Sequence, residues 1–385
     1  MEKIAIFGGT FNPPHLGHRR LALAAADAVK ADRVLIIPDS TPPHKQPAEL
    51  IPGSDRAEMC RLGMLCDSRF EVSTVELERG KKSYTVETLR ELEKLYPDGE
   101  FYLIIGSDML SSFTQWYLWE EILERAFVVA ASREKGFCPD LGAFTDEQRK
   151  RIIFIELEPF EMSSTEVRRA MKENLPADSF LHPEVARYIR ENALYADRFP
   201  EWRRLIESRL DDARIYHSVC VSRAARHLAL RYAADAEKAE LAGLLHDVMK
   251  NEPPESQKEL IERGGHKIEG WETQKVWHAM AGEAYLRLEK GITDAEILSA
   301  VRYHTTGRAG MTLMDKIVYL ADFISDDRVY PDVNTVRELA EESLEKAIAY
   351  TCAYTIRTLI QRGSPIHTDT VECYNQIILE LERMK

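Results

Sequence analysis

The sequence has no cysteine pair at C-x-x-C spacing. Cys60, Cys66, Cys138, Cys220, Cys352 and Cys373 are scattered along 385 residues, which fits a reducing compartment better than a disulfide framework. No apolar run reaches the length that spans a bilayer. The chain opens directly on a strand-like segment and not on a leader, so a cytoplasmic protein without signal peptide or membrane anchor is expected. Positive charge is in deficit, with 51 Lys+Arg against 64 Asp+Glu and a net charge of −13. That balance argues against general nucleic-acid or anionic-membrane binding, while leaving room for locally basic sites that hold small phosphorylated substrates. Neither the Gly-Lys-Ser/Thr ending of a Walker loop nor the G-x-G-x-x-G spacing of a dinucleotide fingerprint occurs where the glycines cluster. A length of 385 residues allows two or three domains, and a hydrophobic content of 44% lets each half bury a core.

What is there begins with Gly8-Gly9-Thr10-Phe11-Asn12-Pro13-Pro14-His15-Leu16-Gly17-His18, behind the apolar run Lys3–Phe7. Paired glycines allow a sharp turn and close approach to a ligand, and the two prolines stiffen the rest of the loop. The segment from His18 to Lys30 is alanine-rich and favours a helix. A helix start behind a glycine loop offers unpaired N–H groups and a favourable dipole to an anion. With His15 and His18 on one face of a turn, the stretch suits a triphosphate held by backbone amides and two imidazoles. A plain tight turn with surface histidines is the alternative reading.

Apolar β-rich runs recur at Arg33–Ile37, Phe70–Val72, Phe101–Ile105, Phe127–Val129 and Ile152–Ile155, separated by amphipathic segments. This alternation predicts a doubly wound parallel sheet with ligands beyond the carboxyl ends of its strands. Strand ends carry candidates: Lys45 as a phosphate or carboxylate partner, Thr85 at a helix start where it also reads as a cap, Gly106 and Asp108 beside a ribose or amide, and Trp116 as a stacking surface. Ser163 to Glu166 reads as a capping box, and the same helix start offers Ser163, Ser164 and, one turn on, Arg168 to a phosphate.

The opening string resembles the T/HxGH signature of the nucleotidylyltransferase superfamily. In the order PPHK, SYTVETL, IIGSDM, QWY and SSTEVR, the chain is similar to bacterial nicotinate-mononucleotide adenylyltransferases over roughly residues 1–196. That resemblance implies a Rossmann-like α/β domain at 1–196 transferring AMP from Mg²⁺-bound ATP to nicotinate mononucleotide. It assigns Gly8, Gly9, Thr10, Phe11, His15, His18, Gly106, Asp108, Ser163, Ser164 and Arg168 to ATP. Lys45, Thr85, Met109, Trp116 and Tyr117 fall to the nicotinate nucleotide, with His15, His18, Lys45 and Arg168 carrying catalysis. The family's ISSTxIR appears with Met162 and Val167 in place of isoleucines. Another adenylyl acceptor, such as phosphopantetheine, is the competing reading.

Past Ala196 the strand pattern ends and long amphipathic helices run to Lys385. Histidines and aspartates at His217, His246-Asp247, His278, His304 and Asp322 sit in otherwise apolar helical segments, where they are costly unless paired or metal-bound. The set H…HD…H…H…D, in the contexts LLHDVMK, VRYHTTG and KIVYLAD, resembles the YqeK family of HD-domain symmetrical diadenosine-tetraphosphate hydrolases. His278-Ala279-Met280 departs mildly from that family's pattern. The resemblance implies an all-α HD domain at 197–385 whose His217, His246, Asp247, His278, His304 and Asp322 hold one or two metals, iron in the family, with manganese also suited to such ligands. Asp247 is the implied bridging and catalytic ligand, and Lys250, Arg302 and Arg357 are candidate phosphate contacts. A deoxynucleotide or cyclic-dinucleotide substrate, or a non-catalytic nucleotide sensor, stays open, as does oligomeric state.

Overall fold

The computed structural model describes every residue except 41–49, 66, 81–82, 133–140, 159–162, 173–176, 196–197, 269–273 and 384–385. The chain divides into two compact units, Met1–Ala196 and Asp197–Lys385.

In the first unit, strands β1 (Glu2–Gly9), β2 (Arg33–Pro38), β3 (Phe70–Val72), β4 (Gly99–Gly106), β5 (Ala126–Ser132) and β6 (Ile152–Glu156) form one sheet in the order β3-β2-β1-β4-β5-β6. Every pairing is parallel, so both faces must be covered. Alternate residues divide between the faces, as the pleat requires. Ile4, Ile6, Phe101, Leu103 and Ile105 enter one core, while Ala5, Phe7, Tyr102 and Ile104 enter the other. The second core receives the helix expected from the alanine-rich segment, α1 (Leu16–Val29), through Leu21, Ala22, Ala25, Ala26 and Val29. Helices α2 (Gly53–Met64) and α3 (Thr85–Leu95) come after β2 and β3. Helices α4 (Ser164–Lys172) and α5 (Pro183–Glu191) close a smaller core with Met59 of α2. The strand order reverses direction between β1 and β4, and that crevice is where an open parallel sheet binds its ligand.

The second unit contains no strand among the described residues. Its helices include α6 (Asp212–Arg231), α7 (Ala236–Leu245), α8 (Trp277–Leu288), α9 (Ala295–Tyr303), α10 (Leu313–Ile324), α11 (Leu344–Gln361) and α12 (Thr368–Arg383). Asp211, Asp235, Asp294 and Thr312 cap α6, α7, α9 and α10, each side chain accepting from a backbone N–H of the first turn. A single apolar core joins these helices. No helix of the described residues is long and apolar enough to cross a membrane. Cys60, Cys220, Cys352 and Cys373 are buried free thiols; Cys66 and Cys138 lie outside the described residues.

Helices α6 and α7 touch where Gly243 removes a side chain. A Cβ there would come within 2.9 Å of Ser222 Cα and 3.0 Å of Val221 O, both backbone atoms. Gly243→Ala should therefore destabilise the second unit by about 1–3 kcal/mol, read as a lowered unfolding midpoint of that unit in calorimetry with the first unit's transition unmoved.

Candidate functional site

The glycine pair does not make the turn expected of it. Gly8 and Gly9 finish β1, and the left-handed residue is Phe11, at φ 47°. Glycine matters at position 9 because a Cβ would press on the Phe11 ring at 3.3 Å. Gly8 faces open space, its nearest neighbour being Ile37 O at 4.0 Å.

The loop after β1 is held from several sides. Arg56 of α2 is fully buried, at 0% exposure. Its guanidinium donates to the carbonyls of Thr10 (2.8 Å), Asp39 (2.8 Å) and Ile51 (3.1 Å) and to Asp39 Oδ1 (3.0 Å). Thr10 Oγ1 donates to Asp39 Oδ2 at 2.8 Å. From the far end of the unit, Ser164 Oγ donates to Pro13 O at 3.0 Å and Arg168 Nη1 to Asn12 O at 2.8 Å. The start of α4, 151 and 156 residues away in sequence, thus meets the loop at the end of β1. His15 and His18 stack, with ring centroids 3.7 Å apart. His18 Nδ1 accepts from the His15 amide at 3.1 Å, which puts the neutral ring's proton on Nε2, a donor suited to a phosphate. Ser163 Oγ accepts from the Glu166 amide at 3.2 Å and donates to its carboxylate at 2.8 Å, so it caps α4.

The remaining first-unit candidates lie past β4 and at the start of α3. Gly106 ends β4, and a Cβ on it would overlap Asp108 Oδ1. Asp108 is exposed, and Met109 is 45% exposed. Trp116 packs at 5.2 Å against Phe113 and stays half-buried, and Tyr117, 54% exposed, sits 4.9 Å from Tyr84. Thr85 is the first residue of α3. Lys45 and Met162 lie outside the described residues.

The second unit brings all six expected ligand residues together. Only His217, His278 and Asp322 lie within helices. His246, Asp247 and His304 fall just beyond the ends of α7 and α9. There His246 Nδ1 and His304 Nδ1 reach the carbonyls of Gly243 and Val301, both at 2.7 Å. These bonds satisfy helix-end carbonyls and turn both Nε2 lone pairs inward. His217 Nδ1 is held by Asp327 Oδ2 at 2.7 Å, and its Nε2 lies 3.0 Å from Asp322 Oδ1 and 3.3 Å from His246 Nε2. His278 Nε2 is 3.2 Å from His304 Nε2 and 3.1 Å from Asp247 Oδ1. Burial alone would raise the Asp247 carboxyl, but His246, His278 and His304 outweigh it and hold it well below its ordinary range. Burial would likewise lower His217; Asp322 and Asp327 outweigh that and raise it to about 9.

Two sets of ligand atoms, His217–His246–Asp322 and His246–Asp247–His304, each fall within 4.8 Å of one another. Asp247 is 2% exposed, yet its Oδ1 accepts no hydrogen bond of proper geometry among the described residues. A buried carboxylate oxygen without a hydrogen-bond partner asks for one, and together with the imidazole nitrogens converging on it makes an N/O donor set of the kind that suits a divalent transition metal. The donor set therefore fits a metal.

Of the three candidate phosphate contacts, only Lys250 reaches the cluster, its Nζ 3.0 Å from His278 Nε2 and 3.7 Å from Asp247 Oδ1. Arg302 lies 3.9 Å from Asp369 and over the Tyr303 ring; two positions before His304, it points to another side of the helix. Arg357 is exposed and lies 3.8 Å from Asp332, on a helix that carries no cluster residue. In their place stand Arg214, donating to Asp247 Oδ2 at 2.8 Å, and Arg328, paired with Asp322. Arg214 is three residues before His217 and shares its face, a signal the sequence carried. Asp327 and Arg328 sit in the unremarkable run Asp326-Asp327-Arg328, and Arg56 and Asp39 had no motif to mark them.

A cytidylyltransferase-like family model matches residues 6–170, and an HD-domain model matches 214–326. A probable nicotinate-nucleotide adenylyltransferase of Shouchella clausii is 39% identical over 197 residues, covering 51% of this chain and 98% of the relative. The symmetrical bis(5'-nucleosyl)-tetraphosphatase of Bacillus subtilis is 38% identical over 176 residues, covering 45% of this chain and 94% of the relative. The crystal structure of a predicted HD superfamily hydrolase involved in NAD metabolism from Clostridium acetobutylicum is 33% identical, covers 47% of this chain and 97% of its own, and superposes with a TM-score of 0.46. Fold and matches define the class: a nucleotidyltransferase-fold domain followed by an HD domain. The chain belongs to the nicotinate-nucleotide adenylyltransferase family through its first half and, through its second, to the HD-domain family of the Bacillus subtilis tetraphosphatase.

Replacing Arg56 by Met strands the Asp39 carboxylate and three carbonyls in the interior. It should cost about 3–5 kcal/mol, measured as a shift in the urea unfolding midpoint of the first unit.

Proposed function

We propose that the chain is a bifunctional enzyme. Its first unit transfers AMP from ATP to nicotinate mononucleotide, giving deamido-NAD and pyrophosphate. Its second hydrolyses diadenosine tetraphosphate symmetrically to two ADP. The observation that carries the first activity is the meeting of Ser164 and Arg168 with the loop that bears His15 and His18. A phosphate nucleophile is already ionised at neutral pH and needs no general base, so positioning and charge stabilisation suffice. The N–H groups at the start of α1, His15, His18 and Arg168 receive the triphosphate, which arrives with Mg²⁺. Gly8 leaves room for its close approach, with Gly9, Thr10, Phe11, Gly106 and Asp108 around the rest of the nucleotide. Ser163 and Ser164 present the α4 start to the outer phosphates. The acceptor lies against Thr85, Met109, Trp116 and Tyr117, with Lys45 on its phosphate or carboxylate.

In the second unit His217, His246, Asp247, His278, His304 and Asp322 would hold one or two metals, iron by family resemblance. A bound metal of this kind supplies Lewis-acid polarisation and activation of water. Around it, the chain's own groups bind the phosphate bridge. Lys250 and Arg214 lie against Asp247 and Arg328 against Asp322, and the three offer positive charge to an anionic substrate. Asp247, with one oxygen toward His278 and His304 and the other toward His246 and Arg214, would be the ligand shared between ions where two are held. Arg302 and Arg357 are left out of this role.

Product analysis with iron-loaded protein tests both halves. Wild type should form two ADP per diadenosine tetraphosphate. Asp247→Ala and metal-stripped protein should form none while still making deamido-NAD in Mg²⁺. Conversely, His18→Ala should lower deamido-NAD synthesis about 100-fold or more and leave tetraphosphate hydrolysis intact. A metal-loaded wild type that binds the tetraphosphate without turnover would make the second unit a sensor.

A further inference from the structure

The end of the first unit returns to its nucleotide loop. Tyr195 donates its hydroxyl to Asn12 Oδ1 at 2.9 Å, across 183 positions of sequence. Asn12 is buried at 3% exposure, and its backbone carbonyl is the one that accepts from Arg168 at 2.8 Å. The next carbonyl, of Pro13, accepts from Ser164. One short stretch of loop is thus gripped by α4 through its backbone and by Tyr195 through its side chain.

The approach to Tyr195 is specified with some force. Ala193 and Tyr195 are both left-handed, at φ 47° and 61°, a conformation that disfavours residues carrying a Cβ. The residues between and beside them are held by packing and hydrogen bonds. Leu194 is buried in the small helical core, its amide donates to Ile189 O at 2.9 Å, and the Tyr195 ring packs on the same core. A chain merely leaving the domain has no need of such a turn. What the turn achieves is to bring one phenol hydroxyl to Asn12.

We propose that Tyr195 is a positioning residue of the adenylyl-transfer site. It fixes Asn12, and through the Asn12 carbonyl the guanidinium of Arg168, so that Arg168 and the His15–His18 pair face the triphosphate together. This rests on the proposed function, in which those residues hold ATP. The acceptor candidates sit elsewhere, Thr85 at the start of α3 and Trp116 and Tyr117 past β4, so the effect falls on ATP and not on nicotinate mononucleotide.

The test uses the full-length Tyr195→Phe variant, which keeps the ring and its packing and deletes only the hydroxyl. KM and Kd for ATP should rise about threefold to tenfold, with KM for nicotinate mononucleotide unchanged. Adding Tyr195→Phe to Asn12→Leu should weaken ATP binding no further than Asn12→Leu alone, because the two side chains act through one bond. ATP parameters unchanged in Tyr195→Phe, or both substrates affected equally, would overturn the proposal. Should the wild type make no deamido-NAD, the acceptor assignment fails on its own, and the ATP Kd values of wild type and Tyr195→Phe still decide the role of Tyr195.

Discussion

A charged group taken out of water must find its partners within the chain, and each half of this protein is arranged around one such group. In the first it is Arg56, buried completely, with donors satisfied by three carbonyls and the Asp39 carboxylate. Those partners come from the loop after β1 and the segment after β2. Satisfying one guanidinium therefore ties the ends of β1 and β2 together, beside the crevice that opens between β1 and β4. In the second half it is Asp247, ringed by three imidazoles and the Arg214 guanidinium. That one carboxylate draws α6, α8 and the ends of α7 and α9 toward a common point.

The two sites solve different chemical problems with similar means. Transfer between phosphates asks the first unit for geometry and positive potential and little else. A loop stiffened by Pro13 and Pro14, the helix behind it and the distant start of α4 provide both. The hydrolysis proposed for the second unit would ask for a strong electrophile, and the rings that would hold one are fixed in orientation. His246 and His304 are turned by the carbonyls of their own helix ends, and His217 by Asp327. Three cations stand near three carboxylates, Asp247, Asp322 and Asp327. A divalent metal added to that set leaves an excess of positive charge that a chain of phosphates would neutralise. An acidic protein of net charge −13 can in this way keep locally cationic pockets for anionic substrates.

The parallel sheet was legible because β-rich apolar runs buried on both faces stand out from the amphipathic segments between them. The HD cluster was legible because histidine and aspartate in apolar helices are conspicuous. Less legible was whatever depends on side chains from distant parts of the chain. The Gly8–Gly9 pair suggested a glycine turn, yet the left-handed position is Phe11, since the strand continues through both glycines. Arg302 looked as eligible as Lys250 for a phosphate, but its place on the helix turns it toward Tyr303 and Asp369.

Residue types and local spacing were enough for the two families and the kind of chemistry they carry, because those depend on short-range patterns. Which charges meet was decided only by the tertiary structure. Arg56 with Asp39, Arg168 with Asn12, Tyr195 with Asn12, and Arg328 with His217 and Asp322 join positions that are, apart from the last contact, well separated in sequence. Each is chosen by the cost of leaving a polar group buried without a partner, a cost that does not exist until the chain has folded.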